Sequence, residues 1–127
     1  MVVGYNTNDL PAFFTRKSGI EVPIRIDTPL EIARVIKAKK DLKINNGILI
    51  TNPIEEKYSF DKVEMDNAIH NALIEMNNLK ITGKQVTPYL LSKINEITKG
   101  QSLEANKHLV YNNCMLAALI SKELKQL

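Results

Sequence analysis

The chain has 127 residues, the length of one domain, and 44% of them are hydrophobic, which is enough to bury a core. A net charge of +3, one cysteine and two histidines exclude an internal disulfide, a cysteine-cluster metal site and a histidine-rich metal site. No apolar run approaches the ~20 residues that cross a membrane, and no signal peptide precedes the first apolar segment. We therefore expect a cytoplasmic protein of one domain, residues 1–127, that binds neither membrane nor nucleic acid.

The first two predicted strands are short and apolar. Residues 2–5 open the chain with two valines, which indicates either that sequence has been lost upstream or that the domain begins with an edge strand. Residues 22–26 form the second strand, and Pro23 places its start at an edge because proline cannot donate to a ladder.

A helix and a third strand follow. In residues 28–31, Thr-Pro-Leu-Glu, the threonine is a good N-cap, proline suits the first helical position, and glutamate completes a capping box. Helical spacing of apolar residues continues to the Asn-Asn-Gly turn at 45–47. The unbroken apolar run Ile-Leu-Ile at 48–50 is typical of a buried parallel strand. Residues 22–51 thus predict a right-handed βαβ unit.

Three further helices are predicted downstream. Asp61 caps the first of them, Thr87-Pro88 begins the second, and Gly100 ends the second. Ser102 caps the last helix, which runs towards Leu124. The fold class is therefore α/β, a βαβ unit with parallel strands followed by several helices.

Asn52 is a candidate binding residue because it directly follows the predicted strand at 48–50. Ligands of open α/β sheets bind beyond the carboxyl ends of the strands. Two interpretations stay open: Asn52 contacts a ligand, or it caps the turn before Pro53.

Asn106 and Asn113 are seven residues apart, so they lie on nearly one line of the last predicted helix. The same stripe is otherwise apolar: Val110 lies between the two amides, and the stripe continues with Leu103, Leu116, Ala117 and Ile120. A buried amide without partners costs roughly 1–3 kcal/mol, so each must find them. Either a structural network or a polar ligand satisfies them.

Other polar positions favour structural roles. The segment at 13–19, with two aromatic and two cationic residues, is typical of a packed connector and alternatively of an anion- or base-binding loop. His70 is expected to be exposed, and His108 to face away from Asn106. Lys84 lacks a glycine-rich phosphate loop around it. Nothing in the pattern identifies a nucleophile, a metal cluster or a pair of catalytic carboxylates.

Six segments in a fixed order carry a family resemblance. They are VVGYNTNDLPAFFTRKSG at 2–19, VPIRIDTP at 22–29, GILITNPI at 47–54, ITGKQVTPYLL at 81–91, SLEAN at 102–106 and NN at 112–113. In this order and spacing the chain resembles the C-terminal part of the pseudouridine-5'-phosphate glycosidases, and the resemblance covers essentially its whole length.

The resemblance implies a fold, an assembly and a reaction. The fold is an α/β/α arrangement around a mixed sheet, and the assembly is a trimer. The reaction is the reversible cleavage of the C–C glycosidic bond of pseudouridine 5'-phosphate to uracil and ribose 5-phosphate, with manganese as the typical metal. A lysine forms an imine at C1′ of the opened sugar, a glutamate acts as acid, and an aspartate helps to hold the metal. An imine supplies the electron sink that a C–C bond requires.

The family's catalytic groups are missing from these residues. The lysine belongs to a Cys-Ala-Gly-x-Lys-Ser-type motif expected just upstream of Val2, and the glutamate and aspartate lie further upstream. We therefore expect that the N-terminal catalytic part is absent, that the chain alone is inactive, and that it binds no manganese alone. Asn106 matches a family position linked to substrate contact, so Asn106, Asn113 and Asn52 are the predicted substrate-binding residues.

Two hypotheses follow for the function. The chain is a C-terminal piece of such a glycosidase, either a truncated product or one half of a split enzyme with a separately encoded N-terminal half. Alternatively, it is a folded, non-catalytic remnant that binds a partner or a sugar phosphate.

Overall fold

The computed structural model describes all 127 residues, Met1–Leu127. Three strands and four helices follow one another along the chain. They are β1 (Val2–Tyr5), β2 (Arg25–Ile26), α1 (Pro29–Asp41), β3 (Leu49–Thr51), α2 (Lys62–Asn78), α3 (Val86–Ile97) and α4 (Gln101–Gln126), with short 3-10 turns at Glu56–Tyr58 and Gly83–Gln85.

The sheet has the strand order β2-β1-β3, and both pairings are parallel. Gly4 pairs with Arg25 on one side, and Val3 pairs with Ile50 on the other. The predicted βαβ unit is confirmed, since α1 joins two strands that are both parallel to β1. β1 is the central strand, so the interpretation of residues 2–5 as an edge strand is wrong.

The predicted N-caps of α1 and α2 are both present. The Thr28 hydroxyl accepts a hydrogen bond from the Glu31 backbone N–H at 3.2 Å and donates to the Glu31 carboxylate at 2.8 Å. The Asp61 carboxylate accepts from the Glu64 backbone N–H at 3.0 Å. These bonds satisfy backbone donors that a helix leaves unpaired in its first turn.

The predicted starts of α3 and α4 are wrong. α3 begins at Val86, directly after the 3-10 turn, and Thr87 is already inside it. α4 begins at Gln101 after Gly100, so Ser102 lies inside its first turn. The Thr98 hydroxyl takes the capping role predicted for Ser102, because it accepts from the Ser102 backbone N–H at 3.1 Å.

β3 is not the buried strand that its apolar run predicts. Leu49 is 58% exposed, and Ile50 is only half-buried. The physical reason is that β3 is an edge of the sheet, so β1 covers it on one side only. All three strands are parallel, and the mixed sheet implied by the resemblance is not seen among them.

The core consists of two clusters that share α4. The sheet cluster joins the strands to α1 and the C-terminal half of α4, and its buried members are Ile32, Ala33, Leu116 and Ile120. The helical cluster joins α2, α3 and the N-terminal half of α4, and its buried members are Phe14, Ile54, Met65, Ile94 and Ala105. None of the helices combines the length and apolarity needed to span a membrane.

Candidate functional site

Asn52 and Asn113 meet at the carboxyl end of the sheet. Asn52 follows β3, and its Nδ2 donates to Asn113 Oδ1 on α4 at 3.1 Å. The adjacent Asn112 donates from Nδ2 to the Pro53 carbonyl at 3.4 Å. Two consecutive amides of α4 therefore hold the segment that leaves β3. Neither the oxygen of the Asn52 amide nor the amino group of the Asn113 amide is used in these bonds.

A cavity of about 250 Å³ surrounds the Asn52–Asn113 pair, which we call the sheet-side groove. Leu49 of β3 and Leu109 of α4 form part of its apolar wall, and Phe14 closes another side. A groove with a few polar groups in an apolar wall is the usual form of a small-molecule site.

Asn106 lies in a second cavity of about 230 Å³ between α3 and α4, the helix-side groove. The amide of Asn106 is half-buried and makes no hydrogen bond to another residue. Asn95 lines the same groove, and its Oδ1 is buried without a partner. The three predicted substrate-binding residues therefore lie in two places. Asn52 and Asn113 contact each other in one groove, and Asn106 lies in the neighbouring groove.

The predicted stripe of α4 that carries Asn106 and Asn113 faces the core only in part. Its apolar members Leu103 and Val110 are 49% and 50% exposed. Leu116 and Ile120 of the predicted stripe are buried, together with Ser102 and Ala105. The expectation that both amides occupy a buried apolar face is therefore corrected: α1, the sheet and the helical cluster cover the other sides of α4 and leave part of this stripe open.

Phe14 joins the two grooves, because its side chain lines both. It is only 4% exposed, and its ring contacts Phe60 edge-on at a centroid distance of 6.1 Å. Its φ of +60° lies in the left-handed region, which is costly for a bulky residue. The sequence shows two adjacent aromatics but carries no sign of this conformation, so the role of Phe14 could not be predicted.

Hydrogen bonds tie the segment at 13–19 to the rest of the chain, and the alternative of an anion- or base-binding loop stays a prediction. The Asp9 carboxylate accepts from the backbone N–H groups of Ser18 and Gly19 at 2.7 and 3.1 Å. The Arg16 guanidinium donates to the Ile54 carbonyl and so ties the segment to the chain beyond β3. These bonds fix the backbone that presents Phe14 to the grooves.

Charged groups near α3 and α4 are paired at the surface. The hydrogen bond from Lys93 on α3 lowers the pKa of Glu75 on α2, and their nitrogen and oxygen are 3.0 Å apart. The hydrogen bond from Lys107 likewise lowers the pKa of Glu104, at 2.6 Å. His108 stacks on the Tyr58 ring at a centroid distance of 3.7 Å, which keeps it apart from the Asn106 groove.

No group of three or more His, Cys, Asp or Glu side chains is placed to hold a metal ion. The amides of the two grooves are weak ligands for a manganese ion without carboxylate or imidazole partners. The residues of this chain therefore do not fit a manganese site by themselves.

Comparison with known proteins assigns the chain to a family. A family model described as "Indigoidine synthase A like protein" matches residues 1–123. The chain therefore belongs to this family.

Relatives within the family carry a more particular name. The chain is 57% identical over 122 residues to a pseudouridine-5'-phosphate glycosidase of Petrotoga mobilis, covering 96% of this chain and 40% of the relative. It is 48% identical over 126 residues to a protein of the same name from Clostridium botulinum, covering 99% of this chain and 41% of the relative. The resemblance to a C-terminal part is confirmed, since the chain spans about 40% of these relatives' length.

Two solved structures share the fold. A prealnumycin C-glycosynthase in complex with ribulose 5-phosphate matches with a TM-score of 0.85 at 29% identity, over 97% of this chain and 40% of that one. An indigoidine synthase A-like protein from Thermotoga maritima matches with a TM-score of 0.81 at 35% identity, over 98% of this chain and 40% of that one. The predicted fold class is confirmed by both.

Proposed function

We propose that this chain acts as the C-terminal part of a pseudouridine-5'-phosphate glycosidase, which reversibly cleaves the C–C glycosidic bond of pseudouridine 5'-phosphate to uracil and ribose 5-phosphate. The observation that carries the proposal is the 57% identity to a protein of that name over 96% of this chain. The complex of a structural relative with ribulose 5-phosphate supports a sugar phosphate as the class of ligand.

The role of this chain in the reaction is to bind and orient the substrate. Asn106 carries both a donor and an acceptor, and neither is used by a protein partner in the helix-side groove. A sugar hydroxyl or a carbonyl group of the base fits such an amide. The Asn52–Asn113 pair, one groove away, offers a second set of amide atoms at the carboxyl end of the sheet.

The chemical step requires groups from outside this chain. The lysines present, such as Lys84 in its 3-10 turn, are outside the motif that supplies the imine-forming lysine of the family. We propose that the chain alone is inactive, that manganese is held by the remaining part of the enzyme, and that the assembled enzyme is a cytoplasmic trimer. A separately encoded N-terminal half would supply that remaining part.

A chimera tests the proposal. The chain is fused to the part of the Petrotoga mobilis relative that precedes the matched segment, and uracil release from pseudouridine 5'-phosphate is measured with manganese. We expect release by the chimera and none by the chain alone. Release by the chain alone far above a no-protein control would contradict its predicted inactivity.

A folded but inactive chimera would favour the alternative function. In that case the chain is a non-catalytic remnant that binds a partner or a sugar phosphate. Titration of the chain with ribose 5-phosphate, followed by amide shifts at Asn106, then tests binding without chemistry.

A further inference from the structure

The loop between α1 and β3 contains the only Asn-Gly dipeptide of the chain, Asn46-Gly47. Both residues are exposed, and the backbone N–H of Gly47 donates no hydrogen bond. Apart from its chain neighbours, no atom lies within 4 Å of the position that a Cβ of Gly47 would take. Because glycine has no Cβ, its nitrogen approaches the side-chain amide of the preceding residue without obstruction. The Gly47 nitrogen is therefore free to attack the Asn46 side chain.

The ammonium group of Lys39, near the end of α1, holds this loop. It donates to the backbone carbonyls of Ile44 at 2.9 Å and Asn46 at 2.5 Å, and also to the side-chain oxygen of Asn46. All three protons of the ammonium are thus directed at the loop. A cation at an amide oxygen stabilises the negative charge that develops there when a nucleophile attacks the amide carbon. Lys39 is therefore placed to activate the Asn46 side chain.

We propose that Asn46 is a site of spontaneous deamidation that Lys39 promotes. The Gly47 nitrogen loses its proton to water or hydroxide and bonds to Cγ of Asn46, which closes a succinimide ring. The bond from Cγ to Nδ2 breaks, and Nδ2 takes a proton from water and leaves as ammonia. Water then adds to one of the two ring carbonyls and breaks its bond to the Gly47 nitrogen. Opening at Cγ leaves aspartate, and opening at the backbone carbonyl leaves isoaspartate.

The overall change consumes water, releases ammonia and needs no oxidant or cofactor, and it does not depend on the proposed function. Both products carry a new carboxylate beside the Lys39 ammonium. Isoaspartate also inserts its Cβ atom into the main chain just before β3. There the Met1 ammonium donates to the Gly47 carbonyl at 3.3 Å, and the Leu49 N–H donates to the Met1 carbonyl at 2.9 Å. The isoaspartate form is therefore expected to lose exchange protection at Leu49, where β3 begins to pair with β1.

Peptide mapping by mass spectrometry tests the site in the full 127-residue chain. The folded chain is incubated at neutral and mildly alkaline pH, and the loss of each asparagine and the formation of isoaspartate are followed with time. Asn45 is the internal control, because it is exposed in the same loop but precedes Asn46 rather than glycine. We expect Asn46 to react at least about 10-fold faster than Asn45, because only Asn46 precedes a residue without a Cβ. The rate should rise with pH, since the attacking nitrogen must lose its proton.

Three variants separate the role of the dipeptide from that of the lysine. Gly47→Ala is expected to slow the reaction at least about 10-fold, because the added methyl group obstructs the attacking nitrogen. The φ angle of Gly47 is outside the left-handed region, so alanine fits the native backbone. Lys39→Gln is expected to slow the reaction of the folded chain roughly threefold or more, because the cation at the amide oxygen is lost. Lys40→Gln removes the same charge from an exposed neighbour that makes no bond to the loop, and it should keep the original rate.

Circular dichroism checks that each variant is folded, and incubation in urea removes the contact of Lys39 with the loop. In urea the original chain, Lys39→Gln and Lys40→Gln should react at one rate, below that of the folded original chain. This comparison decides the role of Lys39 even if Lys39→Gln does not fold. Three outcomes overturn the proposal: Asn46 reacts no faster than Asn45, Gly47→Ala leaves the rate unchanged, or the folded original chain reacts no faster than the same chain in urea.

Discussion

The sheet cluster and the helical cluster differ in how completely the chain buries the residues around them. The helical cluster encloses its residues with segments from five parts of the chain, including Phe14 and Ile54, which are 4% and 3% exposed. In the sheet cluster neither β2 nor β3 contains a fully buried residue. Segments of this chain enclose the helical cluster on all sides, whereas the two outer strands of the sheet stay partly exposed. The exposed apolar surface of β3 and α4 therefore lies at an outer strand of the sheet.

Core truncations test whether the two regions are separate. Ile32→Ala in the sheet cluster and Met65→Ala in the helical cluster each remove a side chain that is at most 2% exposed. Each is expected to lower the free energy of unfolding by about 2–5 kcal/mol. We expect each variant to lose exchange protection mainly in its own cluster.

Urea unfolding measures the loss in free energy of unfolding, and residue-resolved amide exchange measures where protection is lost. Loss of protection in both clusters to the same extent in each variant would show that they form one cooperative unit. Val63→Ala on α2, a residue that is 67% exposed, is the surface control.

The two predicted amides on α4 are expected to respond differently. Asn106→Ala in the active chimera should lower turnover roughly 10- to 1000-fold, or about 1.4–4 kcal/mol of transition-state stabilisation, with an unchanged melting temperature. Asn113→Ala removes the bond from Asn52, so it should cost about 0.5–1.5 kcal/mol of stability. Turnover and melting are measured on the same preparations.

An exposed amide elsewhere provides the control. Asn71→Ala on α2 should change neither the turnover nor the melting temperature. If Asn106→Ala destabilises the protein by about 1–3 kcal/mol and leaves activity per folded molecule unchanged, Asn106 is structural.

The smallest effect concerns the contact between α2 and α3. The hydrogen bond from Lys93 lowers the pKa of Glu75 below its ordinary value of 4.5 in the folded protein. The ionised carboxylate therefore contributes stability above pH 4.5, and this contribution is lost as the pH falls through the lowered pKa. Lys93→Gln should reduce the fall in melting temperature on acidification, with only a small change because the pair is at the surface.

Melting temperatures measured between pH 3 and 7 show how steeply the stability falls on acidification. Lys62→Gln is the matched control, because Lys62 pairs with Asp66 within α2 and does not join two helices. If the melting temperatures of both variants depend equally on pH, the Lys93–Glu75 pair between α2 and α3 adds no more pH-dependent stability than a pair within one helix.

Local rules were sufficient to predict much of this protein from sequence. The N-caps Thr28 and Asp61 depend on bonds between residues three positions apart, so their partners are visible in the sequence. The βαβ unit follows from the change between helical spacing and a continuous apolar run. Six segments in order were enough to indicate the family to which the chain belongs.

Tertiary contacts decided what local rules could not. The sequence predicts that Ile48 to Ile50 form a strand, but only the sheet order shows that this strand is an open edge. The apolar spacing on α4 predicts one stripe, but Leu103 and Val110 are about half exposed whereas Leu116 and Ile120 are buried. Which part of the stripe is buried depends on where α1 and the strands pack. Those contacts join residues far apart in the chain, and no local spacing encodes them.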